Sequence, residues 1–238
     1  MTLPILFLPG LLCDADLWSA QMAAFSASHP VMIAQISGAD SVAGLAADVL
    51  AAAPPRFALA ALSMGGYVAF EMMRQAPERV AGLVLVDTSA RPDTEEQARR
   101  RRGLLALART GRFRGVTPRL LPMLLHPGRL DDTALTGRIM AMAERVGRDG
   151  FIRQQTAILG RPDSRPTLSS IRCPALVVCG RQDQVTPPPL AEEMAAAIPG
   201  CNLALVEDCG HLSPIERPDA VTAALAGWLG RVQAVNTG

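Results

Sequence analysis

The chain predicts an α/β fold: a mostly parallel sheet of about six strands, with helices on both faces and a helical insertion in its middle. Three observations carry this expectation. Six short apolar runs are continuous rather than alternating, helix-like segments separate them, and one connection of about 85 residues is far longer than the others.

The runs are Leu3–Leu8, Val31–Gln35, Phe57–Leu62, Val80–Val86, Ala175–Cys179 and Leu203–Val206. A parallel strand buried on both faces has no polar side to present, so its sequence reads as unbroken apolar residues. Between the runs, Ser41–Ala52, Met64–Gln75, Leu190–Ile198 and Asp219–Leu229 have the length and composition of covering helices, and Pro77 stops the second soon after its end. The connection from Asp87 to Ala175 must hold structure of its own, because ordinary connections in such sheets run about 2–6 residues plus a helix. Within it, Thr94-Glu95-Glu96-Gln97 fits a capping box at the start of a helix. Leu135, Ile139, Met142 and Val146 then recur at helical spacing after the turn-like Asp131-Asp132. Such a stripe needs a surface to pack on, which places the insertion over the sheet. Arg161-Pro162 and Arg165-Pro166 suit the return to the core. The expected division is a core of residues 1–90 and 166–238, with a helical cap over residues 91–165.

Composition narrows the function. With 238 residues, 49% of them hydrophobic, the chain can bury a substantial core and is not intrinsically disordered. A net charge of +1 argues against a dedicated nucleic-acid binder. No apolar run approaches the roughly 18–20 residues that span a bilayer, so no membrane helix is expected. The opening MTLPILFLPGLLCD has no basic segment, and Pro9-Gly10 interrupt its apolar stretch, so a secretory leader is not expected either. Cys13, Cys173, Cys179, Cys201 and Cys209 form an odd set without a CxxC pair. They read as reduced thiols of a cytoplasmic protein, with neither a disulfide framework nor a zinc site.

The near-neutral total hides an asymmetry. All 23 basic residues are arginine, and 16 of them lie between Arg91 and Arg165 beside 8 acids, a local charge of +8. The rest of the chain carries 7 arginines and 14 acids, a charge of −7. A solvated face is the ordinary reading of such a run, because the consecutive Arg99–Arg102 spread around a helix. Attraction of an anionic substrate or an acidic acyl-carrier protein is the sharper alternative.

The most informative stretch is Ala58-Leu59-Ala60-Ala61-Leu62-Ser63-Met64-Gly65-Gly66-Tyr67. An apolar strand runs into Ser63 and a helix follows at once. So tight a turn strains the serine backbone and requires small neighbours two residues to either side, here Ala61 and Gly65. The hydroxyl then projects from the carboxyl end of the sheet, ahead of a helix N-terminus that favours negative charge. A serine hydroxyl is a poor nucleophile near neutrality and needs a base, which in turn needs an orienting acid. Of the three histidines, His29 stands at a strand entry and His126 in the insertion. His211 follows the last strand in Asp208-Cys209-Gly210-His211-Leu212, on the same edge as Ser63. Asp183, in Gly180-Arg181-Gln182-Asp183-Gln184-Val185-Thr186-Pro187, follows the preceding strand onto that edge. Asp87, closing the strand Val80–Val86, competes for the role of acid, while Asp208 is too close to His211 in sequence to serve it.

With these residues the chain resembles the α/β-hydrolase superfamily, whose nucleophile–acid–base order matches Ser63, Asp183 and His211. The resemblance runs from Leu3-Pro4-Ile5-Leu6-Phe7-Leu8-Pro9-Gly10 to Gly210-His211 and Glu216-Arg217-Pro218, and the insertion falls where that family places its cap. Two departures stand out. The chain opens at what resembles the family's third strand, without an amino-terminal hairpin, and Pro9 stands where many members carry His. The resemblance implies an α/β-hydrolase fold and a serine esterase, with Ser63, Asp183 and His211 as catalytic residues. The backbone amides of Leu11 and Met64 would form the oxyanion hole. Leu12, Val185 and Leu212 adjoin these loops and are expected to wall an apolar pocket; Leu121, Met123 and Leu124 are candidates for its ceiling, although helical Leu and Met more often belong to a plain core. A small-molecule ester is the expected substrate, and neither a metal nor an organic cofactor is implied. A lactonase or enol-lactonase, a carbon–carbon bond hydrolase, and an idle ligand-binding protein are the alternatives on the same scaffold.

Overall fold

A computed structural model describes residues 2–237. The six runs form strands β1 (Ile5–Leu8), β2 (Val31–Ile33), β3 (Phe57–Leu62), β4 (Val80–Val86), β5 (Ala175–Gly180) and β6 (Asn202–Val206), all parallel, in the order β2-β1-β3-β4-β5-β6. The expected α/β-hydrolase fold is the one found. β3 and β4 occupy the expected residues end to end, and β1 starts two residues late, at Ile5. Pro4 has no amide proton and enters the ladder only as an acceptor, taking the amide of Ala58 at 2.8 Å.

Alternate residues of these strands supply two separate cores, which explains why the runs are unbroken. Leu6, Leu8, Leu59, Ala61, Leu83, Leu85 and Val177 join one cluster with α2 (Val42–Ala52), α3 (Met64–Gln75) and α8 (Pro188–Ala197). Ile5, Phe7, Ala58, Ala60, Val84, Val86 and Val178 join the opposite cluster with α1 (Ser19–Phe25) and α10 (Pro218–Thr237). Burying one such Val or Leu side chain contributes about 1.5–3 kcal/mol, so both faces add substantially to stability. Ser41 caps α2 by accepting the Gly44 amide at 3.1 Å.

The segment between β4 and β5 carries α4 (Glu95–Arg109), α5 (Leu121–Leu124), α6 (Thr133–Leu159) and α7 (Arg165–Leu168). Thr94 and Gln97 form the expected capping box, and Asp132 caps α6 through the Leu135 amide at 3.0 Å. Leu135, Ile139 and Met142 pack into the cluster beneath the sheet edge, as their spacing requires. Gly147, at φ 70°, breaks α6 into two arms. The second arm turns back so that Phe151 packs with Leu12, Ala108 and Ala143 in a third cluster between the insertion and the loop after β1. Among the described residues no helix is long and apolar enough to cross a membrane.

Candidate active site

One residue, Ser63, separates β3 from α3. Its φ of 52° and ψ of −113° are costly for a residue with a side chain, about 1–3 kcal/mol, and persist only where the surroundings fix them. Here the Ser63 amide donates to Val86 O at 2.9 Å, and the Thr88 hydroxyl donates to Ser63 O at 2.7 Å. Gly65 lies against β1, where a Cβ would stand 2.6 Å from the Pro9 carbonyl oxygen. Only glycine fits, which is the physical content of the small-residue requirement. Met64 opens α3, so its amide belongs to the turn whose donors have no carbonyl one turn back.

The loops after β5 and β6 bring the other two side chains to the hydroxyl. His211 Nε2 lies 2.9 Å from Ser63 Oγ, and His211 Nδ1 lies 2.8 Å from Asp183 Oδ2. All three residues are buried. A carboxylate only accepts, so the imidazole proton sits on Nδ1 and leaves Nε2 free to accept from the serine. Asp183 is itself fixed: Oδ1 accepts the amides of Val185 at 2.8 Å and Thr186 at 3.0 Å, while Oδ2 also accepts the Thr186 hydroxyl at 2.7 Å.

The competing acid has a different place. Asp87 is fully buried; its Oδ1 accepts the Gly180 amide at 2.8 Å and its Oδ2 the Ser213 amide at 3.1 Å. It therefore ties the end of β5 to the start of α9 (Ser213–Glu216), bracing the two loops that carry Asp183 and His211. His29 and His126 lie elsewhere, bonded to Ser28 and Gln233 and to the Gly128 amide respectively.

Three further residues, invisible to local pattern, hold this arrangement. Glu216 Oε1 accepts the amides of Gly210 at 3.0 Å and His126 at 2.9 Å, and the His211 amide donates to Leu124 O at 2.8 Å. The loop bearing His211 is thereby stitched to the insertion. Gly210 permits the close approach, since a Cβ there would stand 2.7 Å from Leu124 O. Gln154, on the second arm of α6, grips the loop after β1 through the Leu12 amide. Thr186 is the third. Each of these bonds joins segments remote in sequence or depends on a loop's final shape, so no motif announces it.

The electrostatics follow from burial and neighbouring charge. Burial opposes a charged His211, yet the charge and hydrogen bond of Asp183, with Asp87 and Glu216 nearby, raise its pKa above the ordinary 6.5. Burial likewise opposes a charged Asp183, but His211 and the Thr186 bonds hold its carboxyl below the usual range. Desolvation, then repulsion from Asp183, pushes Asp87 up to about 7. Asp87, Cys179 and Asp183 bring ligand-type atoms within 4.8 Å of one another. Their carboxylate oxygens already accept hydrogen bonds, and burial pushes the Cys179 thiol far up, so this donor set serves the fold and does not suit a cation.

A cavity of about 650 Å³ opens over Ser63 and His211. Leu11, Leu12, Val185 and Leu212 line it from the sheet side, and Leu104, Leu107, Phe113, Met123, Leu124 and Phe151 line it from the insertion. Of the three ceiling candidates, Met123 and Leu124 line the cavity, whereas Leu121 takes the core alternative and packs into the cluster beneath.

A serine at a strained strand–helix turn, joined through histidine to aspartate in that chain order, is the signature by which one hydrolase family is recognised. The profile of the alpha/beta hydrolase family matches residues 5–224. The chain belongs to the alpha/beta hydrolase family. Among members of known structure, an esterase from Thermogutta terrifontis with bound malate is 30% identical, with a TM-score of 0.87 over 98% of this chain and 91% of that one. The enol-lactonase from Burkholderia xenovorans LB400 is 25% identical, with a TM-score of 0.86 over 97% and 92% of the two chains. A Mycobacterium tuberculosis family member, named as a candidate non-heme bromoperoxidase, is 32% identical over 79% of this chain and 72% of its own. The family thus hosts several reactions, and a substrate has to be argued from the site itself.

Proposed function

We propose that the chain is a serine hydrolase of carboxylic esters with small or medium acyl groups, acting through an acyl-enzyme on Ser63. The observation that carries this reading is the unbroken hydrogen-bonded path Ser63 Oγ–His211–Asp183 at the floor of an apolar cavity. In this reading Ser63 attacks the ester carbonyl carbon while His211 Nε2 takes its proton and Asp183 stabilises the imidazolium. Negative charge gathers on the carbonyl oxygen, and the amides of Met64 and Leu11 receive it. His211 then returns the proton to the departing alcohol. A water molecule deprotonated by His211 attacks the acyl-enzyme, and as the second tetrahedral intermediate collapses the bond to Ser63 Oγ breaks, His211 returns the proton to that oxygen, and the acid is released. Leu12, Val185 and Leu212 hold the acyl group, and residues 91–165 act as the cap over a core of residues 1–90 and 166–238. Similarity to an enol-lactonase over nearly the whole chain favours cyclic esters as a second substrate group for the same machinery. Ser63→Ala should lower ester turnover by about 10⁶ if the three residues act as a unit. Hydrolysis at a near-normal rate by that variant would overturn the proposal.

A further inference from the structure

The cationic excess of the insertion is not evenly distributed. Arg91, Arg129, Arg138, Arg145 and Arg165 each meet a carboxylate within 2.9 Å. Eight arginines of this segment form no ion pair among the described residues: Arg99, Arg102, Arg109 and Arg153 lie off the cavity, whereas Arg100, Arg112, Arg114 and Arg119 are all exposed at its lining over Ser63. Among the described residues none of the four has a carboxylate within 4.0 Å. The chain from Ala98 to Leu130 holds nine arginines and no acid; of the four, only Arg100 has an acid one helical turn away, Glu96, and Arg112, Arg114 and Arg119 have none within four residues. Cations gathered at one opening repel one another, and an anion entering there relieves that repulsion. Exposed Leu104, Leu107 and Leu120 share the same lining, which makes the mouth apolar and cationic together.

We infer that the site takes an amphiphilic ester, its apolar body inside the cavity and an anionic end group, carboxylate or phosphate, held by Arg112, Arg114 and Arg119 with Arg100 beside them. The guanidinium fork matches either anion. The inference names the substrate class of the hydrolase reading above and rests on it for the reaction, though not for binding.

The test compares para-nitrophenyl octanoate with mono-para-nitrophenyl suberate and with an ester bearing a phosphate at the far end, at low and high salt. The native protein should favour an anionic ester by at least about 10-fold in kcat/KM at low salt, with the advantage shrinking as salt rises. The carboxylate and phosphate arms show which anion is meant. In the combined variant Arg112→Gln, Arg114→Gln, Arg119→Gln the ratio of anionic to neutral kcat/KM should fall by about 10-fold, mainly through KM. Equal use of charged and neutral esters by the native protein, or an unchanged ratio in the variant, overturns the inference while leaving the hydrolase reading standing. If Ser63→Ala hydrolyses esters as well as the native protein, the hydrolase reading fails, and calorimetry with suberate against octanediol decides the anion site. Tighter suberate binding that is lost in the variant supports it, and equal binding overturns it.

Discussion

Gln154 accepts the amide of Leu12 at 3.1 Å, and its other end donates to Ile36 O at 3.2 Å, from a fully buried position. The bond joins the second arm of α6 to a residue at φ 58°, in the loop that also presents Leu11 to the cavity. A non-glycine residue in that conformation needs an external hold, and Gln154 supplies it.

Gln154→Met should therefore destabilise the fold by about 1–3 kcal/mol, because the Leu12 amide is left buried without an acceptor. It should also lower kcat by about 10-fold with little change in KM, since the loop carries a proposed transition-state donor. Denaturant unfolding and steady-state kinetics on a neutral ester check both. An unchanged kcat in a destabilised variant would separate Gln154 from the chemistry.

Activity should depend on His211 being neutral. Its raised pKa places the acid limb of the kcat/KM profile above pH 6.5, with activity falling as pH drops through that limb. Asp183→Asn removes the principal charge raising that pKa, so the limb should move to lower pH while kcat falls by about 10⁴. A pH–rate profile of the two proteins measures the shift, and coincident limbs would contradict the coupling.

Asp87 should leave its mark on stability. Its folded pKa of about 7 lies above the ordinary 3.8, so between these values the folded protein keeps a proton that the unfolded chain has released. Its contribution to stability therefore declines as pH rises from about 4 to about 7, at up to about 1.4 kcal/mol per pH unit. Asp87→Asn cannot accept both amides and should be less stable overall, yet it should lack this part of the slope. Urea unfolding at several pH values across the window tests it, and equal slopes would contradict it.

Gly210→Ala should drive a methyl into the backbone at Leu124 and Leu125. Overpacking of this kind costs about 1–3 kcal/mol, and here it also displaces the neighbouring His211 from Ser63. Ester turnover should fall more than stability does, which kinetics beside thermal unfolding resolves. Full activity would mean that the insertion and the His211 loop can separate freely.

The sheet was legible because burial on both faces leaves an unbroken apolar run, and β3 and β4 end where Ser63 and Asp87 interrupt it. The juxtaposition of Ser63, Asp183 and His211 was legible because parallel strands deliver the loops that follow them to one edge. α1, with seven residues, and α5 and α7, with four each, are too short for a helical period to repeat in the sequence. The break at Gly147 and the partners of Gln154 and Glu216 were unreadable for another reason. They arise where segments up to 142 residues apart meet, and no local spacing encodes such a meeting. The arginine run showed its charge in sequence but not its destination, because the rim forms only when α4 and the loop ending at Arg119 fold over the cavity.

The most direct measurement is peptide mass spectrometry of the protein after reaction with a fluorophosphonate. A nucleophile activated through His211 should yield one adduct, on Ser63, and His211→Ala should abolish it. Absence of the adduct in the folded native protein, or its appearance on another residue, would contradict the assignment of Ser63 as the nucleophile.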